Sequence, residues 1–505
     1  MLSFALAIFT GAFLLFQVQP LIGKFILPWF GGSPAVWTTC MLFFQMLLLG
    51  GYAYAHWLTT CVKPRKGAAL HGLMLIGALV MLPIVPAESW KPDPSVNPTA
   101  HILMLLLATI GLPYFVLSST GPLMQKWFSW LHPGKSPYRL YSLSNIGSLL
   151  ALITFPFLFE PKLSRLQQSS FWSIGLLLFV IVCGWCTWRM WRWGANPTVD
   201  ERPQTNTSTA KEPPPDWTRK ALWLTMPAAA SALLLATTNK VCQDVAVIPF
   251  LWVLPLCLYL LTFIFCFDDR KWYWRRVFIP LIVVGVAGIC KVMDEVDDIP
   301  MTWQILAYCG TLFACCMVCH GELYRLRPGT DHLTGFYLMV SLGGALGGIF
   351  VAIVAPLIFV TYVEFHWTLA ACVLLAWLAC KPNARSLKYE KWHLHVWLIA
   401  SLTVAALGYK LYVRGYDEDV KVVTASRNFY GSLAVLKYED EADSDYLLLR
   451  HGRITHGFQL TGDEYRNYAT SYYSEKSGVG LAVSLLPSQA NHRVAVVGLG
   501  VGTMA

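Results

Sequence analysis

The chain has 505 residues, 56% of them hydrophobic and 13% charged, with a mean hydropathy of +0.50 and a formal net charge of +9. A soluble protein cannot hide that much apolar surface, because even a large domain keeps much of its surface in water, so a purely aqueous chain is excluded. The positive balance does not point to nucleic acid: basic residues sit in short connections such as Lys63-Pro-Arg-Lys66 and Arg270-Lys-Trp-Tyr-Trp-Arg-Arg276, as cytoplasmic loops of a membrane protein would carry them.

Apolar runs long enough to cross a hydrocarbon core as helices fall at about 4–22, 36–58, 67–85, 101–124, 138–158 and 170–190. The first lacks a basic leader and a small-residue cleavage site, so it reads as a retained span. Residues 194–219 are polar and Pro-rich and can neither build a core nor enter a bilayer. A second series follows at about 220–238, 246–267, 273–291, 302–320, 333–360, 367–380 and 393–412. The expected domains are a first membrane bundle over 1–193, a hydrophilic linker over 194–219, a second bundle over 220–413 and a soluble tail over 414–505. Two bundles of about six spans joined by a hydrophilic linker resemble the layout of major-facilitator transporters.

An internal echo supports two related halves. Residues 133–159 and 328–359 each run from Pro-Gly through an aromatic stretch and a Ser/Gly-rich helix to a Pro with aromatic flanks, matching Gly147 with Gly343 and Pro156 with Pro356. Lys and Arg concentrate in every second connection, while Met293-Asp-Glu-Val-Asp-Asp298 is acidic. The positive-inside rule then puts the N-terminus in the cytoplasm of a cell (inner) membrane protein. On the same count the run at 393–412 carries the tail across, which sits awkwardly with a cytosolic nucleotide.

In the tail, residues 428–438, 445–450 and 454–460 read as strands, 478–486 as a helix, and 494–497 as a buried parallel strand. That strand enters Gly498-Leu-Gly500-Val-Gly502, a turn whose glycines allow close approach to a nucleotide. The expected fold is therefore a mainly α polytopic bundle of about 12–13 spans in two related halves, then a small β-rich subdomain and the first strand of a Rossmann-like α/β domain.

The series SRNFYGSLAVL, LLLRHGRITHGFQL, TSYYSEKSGVGLAV and VAVVGLGVGT resembles the membrane-fused spermidine synthase-like proteins, and TTNKVCQDVAVIPFLWVLPLCLYLLTF, CHGELYRLRP and LTGFYLMVSLGGALGG look like the second half of that family's membrane region. The resemblance covers nearly the whole chain. It implies a β-rich subdomain and a Rossmann-like domain for decarboxylated S-adenosylmethionine, with a polyamine nitrogen as nucleophile and a carboxylate base to keep it unprotonated. Gly498, Gly500 and Gly502 would cradle the nucleoside, Gln459 would face the cofactor, and Tyr472 and Tyr473 would stand near the substrate cleft. The turn Gly-Leu-Gly-Val-Gly-Thr is closer to methyltransferases, which leaves S-adenosylmethionine as the alternative co-substrate. The family's acidic cofactor residue and its catalytic Asp would both lie beyond Ala505. No catalytic residue is carried over, and the 505-residue chain is expected not to transfer an aminopropyl group by itself.

Cys316-Met-Val-Cys319-His320 spells a haem-attachment pattern, but its place at the cytoplasmic end of an apolar helix argues against haem. A metal held by Cys315, Cys319 and His320 lacks a second ligand cluster, so no metal is assigned. Polar groups at membrane depth are costly. Here they are Gln17, Gln19 and Lys24 in the first span, Asn239, Lys240, Gln243 and Asp244 after the seventh, and His320 and Glu322 ending the tenth. Lys240 and Asp244, four apart, can pair on one helical face. These residues read either as a path for a small amine or other charged solute or as interhelical glue, and Glu322 with Arg325 and Arg327 reads as a loop anchor. The alternative to a synthase-like protein is thus a transporter or membrane scaffold with a vestigial tail. The expected partners are the bilayer and a polyamine or other small amine.

Overall fold

The computed structural model describes residues 2–502 except 94, 134–137, 196–214, 245–248, 296–297, 329–332, 380–397, 399–400, 403–404, 407, 410–419, 440–444, 453, 487–492, 494 and 499. It divides into two compact units, Met1–Ala355 with Glu364–Leu407, and Pro356–Val363 with Gly408–Ala505. The 194–219 linker and the 393–412 run lie largely outside the described residues.

The first unit is a helical bundle. Its helices are α1 (Leu2–Ile26), α2 (Pro34–Thr60), α3 (Pro64–Val80), α4 (Pro98–Leu131), α5 (Tyr138–Thr154), α6 (Arg165–Trp193), α7 (Trp217–Asp244), α8 (Pro249–Asp268), α9 (Arg275–Asp294), α10 (Met301–Arg325), α11 (Leu333–Ile349) and α12 (Glu364–Ala379). Among the described residues, ten helices are long and apolar enough to cross a membrane. Helix is the form available to such runs, because hydrocarbon offers no partner for backbone N–H and C=O groups. Proline stands at the first helical positions of α2, α3 and α4, where no N–H is needed. A capping box starts α6: Ser164 Oγ accepts from the Gln167 amide at 3.3 Å, and Gln167 Oε1 accepts from the Ser164 amide at 2.9 Å.

The two halves repeat their packing. Helix α1 lies against α4, α5 and α6, and α7 lies against α10, α11 and α12; α2 packs on α4 as α8 packs on α10. The echo in the sequence is physical. A Cβ on Gly147 would stand 2.7 Å from the carbonyl oxygen of Phe9 on α1, and one on Gly343 would stand 2.3 Å from that of Leu224 on α7. Both glycines sit where a backbone crosses a backbone, the approach that small residues permit in membrane helices. Both helices then continue through a single π-helical turn, Phe155–Phe159 after α5 and Phe350–Val354 after α11. Pro156 lies inside the first of these turns, and Pro356 follows the second by two residues.

The second unit holds a four-stranded antiparallel meander, β1 (Val420–Asn428), β2 (Gly431–Tyr438), β3 (Tyr446–His451) and β4 (Ile454–Leu460), followed by a short helix α13 (Gly478–Ser484). The sequence reading missed β1, because Lys421, Ser426 and Arg427 interrupt its apolar alternation. It also began β2 three residues early, merging it with the turn Phe429-Tyr430 that joins the two strands in register at Asn428 and Gly431. Within this unit Arg427 donates to the Thr361 carbonyl at 2.9 Å and lies 4.0 Å over the Tyr362 ring, while Ser432 Oγ donates to the Val360 carbonyl at 2.7 Å.

One expectation is corrected. The described part of the proposed Rossmann strand, residues 495–497, is not strand, and Val497 is fully exposed. A parallel strand needs a hydrogen-bonded neighbour, and among the described residues none lies beside it.

Candidate functional site

Of the buried polar groups singled out from the sequence, Asn239 is tied across the two halves, by a residue the sequence reading did not mark. Thr38, one turn into α2, donates its hydroxyl to Asn239 Oδ1 near the end of α7, and both residues are buried. Beside them Trp37 of α2 stacks on Trp252 of α8, with centroids 5.2 Å apart and an interplanar angle of 15°. Further along α2, Gln45 Nε2 donates to Ser231 Oγ of α7 at 2.9 Å, and Ser231 Oγ donates to the Gly344 carbonyl of α11 at 2.9 Å. The first-half helix α2 is thereby tied to α7 by hydrogen bonds and to α8 by the stacked indoles, and through Ser231 to α11.

Within the first half, Gln19 of α1 donates through Nε2 to the Tyr114 hydroxyl of α4 at 3.0 Å. Gln19 Oε1 and Gln45 Oε1 are both buried without a hydrogen-bond partner. Buried unpaired acceptors are costly and call for an explanation. Gln17 is buried on the same helix.

Other expected site residues serve different ends. Lys24 forms an ion pair with Glu160, in the short helical turn Glu160–Lys162 that follows α5, and the Lys24 carbonyl accepts from Arg165 at 3.4 Å. Glu322 is 2% exposed and engaged on all sides: Arg275 grips it through Nε at 2.6 Å and through Nη2, Tyr273 donates its hydroxyl at 2.8 Å, and Arg325 stands 3.7 Å away. Arg327 stacks on Tyr324 instead, 3.7 Å from the ring. Glu322 is therefore the anchor joining the start of α9 to the end of α10, not part of an open polar path. Lys240 lies near the end of α7, and the side chain of Asp244 is outside the described residues, so the expected pairing of these two is left there. Gln243 Oε1 is buried without a partner.

His320 is fully buried between Tyr259 and Phe263, the latter ring centred 3.7 Å away. The Thr262 hydroxyl lies 2.6 Å from the Tyr259 carbonyl, to which it donates, and 2.8 Å from His320 Nδ1. His320 Nε2 has no hydrogen-bond partner. Cys315, Cys316 and Cys319 are buried free thiols, and among the described residues no group of His, Cys, Asp or Glu is placed to hold a metal.

In the second unit the aromatic pair, strand β4 and the Gly-rich turn share one place. Gly498, Gly500 and Gly502 have φ of 92°, 57° and 81°, which a side chain rarely tolerates. A Cβ on Gly500 would stand 2.6 Å from the Tyr473 hydroxyl, and one on Gly457 of β4 2.7 Å from Val501. Tyr472 donates to the His456 carbonyl at 3.1 Å, and a hydrogen bond with Tyr473 holds its phenol above the usual value. Gln459 is exposed and donates to the Arg466 carbonyl at 3.1 Å.

No protein-family model and no curated protein matches the sequence. A crystal structure of the peptide transporter POT superposes with a TM-score of 0.50 at 12% identity, over 80% of this chain and 95% of that one. The bundle has a major-facilitator-like fold. The xylose transporter XylE of E. coli, in an inward open conformation, gives a TM-score of 0.46 at 10% identity over 81% of this chain and 95% of that one. The chain is thus an integral multi-pass membrane protein whose major-facilitator-like bundle is followed by a small antiparallel sheet.

Proposed function

We propose that the major-facilitator-like bundle is an alternating-access transporter for a small polar solute rich in N–H or O–H donors, such as a small amine. The observation that carries this reading is the closure between the halves at Thr38–Asn239 and Trp37–Trp252. Rocking of one repeat against the other must break and remake such contacts. The unpaired Gln19 Oε1 and Gln45 Oε1 favour a solute that donates, since its hydrogen bonds would relieve two buried acceptors. The loop charges favour a cytoplasmic N-terminus, and in that orientation this closure is the outer gate.

Cysteines at Thr38 and Asn239 test the reading. In proteoliposomes the oxidised Thr38→Cys/Asn239→Cys protein should lose uptake of labelled amines, sugars or short peptides, and reductant should restore it. Uptake by the oxidised, cross-linked protein at the reduced rate would refute a moving gate, and absence of flux for every solute in the reduced protein would refute transport.

A second reading concerns the tail. The positive-φ glycines Gly498, Gly500 and Gly502, with Gly500 set against Tyr473, favour a nucleoside-binding element of the spermidine synthase-like kind, taking decarboxylated S-adenosylmethionine or S-adenosylmethionine. Calorimetry should detect nucleoside binding by the full chain and its loss, by more than about tenfold, in Gly500→Val. Equal heats from the variant and the unaltered protein would remove this reading.

A further inference from the structure

Helices α9 and α10 cross tightly at one level and part at the next. At the crossing, a Cβ on Gly285 would stand 2.5 Å from Thr311 Oγ1. Toward the α9–α10 connection the glycines have the opposite effect: a Cβ on Gly288 would meet only Ala307 Cβ at 3.9 Å, and one on Gly310 would meet nothing within 4 Å. The missing side chains leave a groove of about 860 Å³ between the two helices. Its walls include Val284, Trp303 and Leu306, which are 68%, 63% and 58% exposed. On two membrane-spanning helices such exposed apolar walls face lipid rather than water.

The mouth of the groove is charged. Lys291, in the last turn of α9, and Glu295 just after it form an i,i+4 pair at 3.6 Å, and Asp298 stands beside them without an ion pair among the described residues. All three are exposed, and Trp303 lies in the first turn of α10, where an indole suits the headgroup level of a bilayer. Among the described lining residues one cation and two carboxylates stand over an apolar slot, which matches a ligand with an acyl chain, a phosphate and an outer ammonium.

We propose that this groove is a binding site for a zwitterionic aminophospholipid. The acyl chain fills the space left by Gly288 and Gly310, the phosphate meets Lys291, and the ammonium meets Glu295 and Asp298. An anionic headgroup without an amine would bring its charge against two carboxylates, so phosphatidylglycerol is disfavoured.

Native mass spectrometry of the full chain, titrated separately with phosphatidylethanolamine and phosphatidylglycerol, tests the site. The unaltered protein should retain phosphatidylethanolamine preferentially. Gly288→Leu/Gly310→Leu fills open space and should weaken that binding by about tenfold while melting like the parent. Asp298→Lys, outside the helices, should fold normally and reverse the preference. Equal retention of the two lipids by the unaltered protein, or an unchanged preference in Asp298→Lys, would overturn the proposal. So would full binding by the filled variant. If the filled variant fails to fold, the Asp298→Lys comparison decides alone.

Discussion

Gly343→Val will destabilise the bundle by about 3 kcal/mol, the upper end of what overpacking costs. The obstruction is backbone, which cannot swing aside: the added carbon would meet the Leu224 carbonyl oxygen at 2.3 Å and the Ala228 nitrogen at 3.2 Å. Gly347, one turn on, meets the Ala228 carbonyl oxygen at 2.4 Å, so Gly343→Val/Gly347→Val should fail to give a monodisperse protein in detergent. The pseudo-equivalent Gly147→Val should lose somewhat less, since its nearest obstacle, the Phe9 carbonyl oxygen, is at 2.7 Å. Gly344→Val is the internal control, because a Cβ there meets nothing within 4 Å; its effect should stay within about 0.5 kcal/mol. Thermal unfolding followed by tryptophan fluorescence ranks the four. A Gly343→Val protein that melts with the parent would show that α7 and α11 do not touch at this level.

Glu322→Ala should cost about 3 kcal/mol, the lower end of the loss expected when one partner of a buried ion pair is removed. The lower end applies because Arg275 is 26% exposed and can recover some hydration. The remaining Tyr273 hydroxyl would also lose its acceptor. Two further variants separate charge from packing. Glu322→Gln keeps an acceptor for Tyr273 and should fall between the parent and Glu322→Ala. Arg275→Met/Glu322→Leu removes both charges and should be more stable than Glu322→Ala, since an apolar replacement leaves no ion stranded. Equal melting of Glu322→Ala and the double variant would mean that the ion pair contributes nothing beyond side-chain volume. Gly321 belongs to the same anchor: a Cβ there would lie 2.3 Å from the Tyr273 ring, so even Ala should displace the tyrosine from Glu322.

Much of the bundle was legible because a span is a local property. Ten described helices are recovered by length and apolar content alone, and the match of Gly147 with Gly343 was visible because repeated helices keep small residues where backbones meet. The tail was read less well. Strand β1 carries Lys421, Ser426 and Arg427, so its alternation is broken, and its place came from pairing with β2. Residues 494–497 have a strand's composition, but composition supplies no partner strand. Among the polar residues, the sequence marked Lys24 but not its partner, and it set Glu322 beside Arg325 but not beside Arg275, which grips it most closely. Glu160 is 136 positions from Lys24, and Arg275 is 47 from Glu322.

What the sequence determined by itself was the solvent of the ten described spans, the runs that belong in lipid. Those follow from apolar transfer and backbone satisfaction, which depend on a residue and its near neighbours. Tertiary structure alone decided which polar groups meet across the two halves, that Arg275 holds Glu322, and where glycines leave a groove. Thr38 and Asn239 are separated by 201 positions, and no periodicity connects them. Gly285 and Gly288 are one helical turn apart on α9, yet one is filled by the neighbouring helix and the other is open. That difference is set by the angle at which two helices cross, which is a property of the pair and not of either strand of sequence.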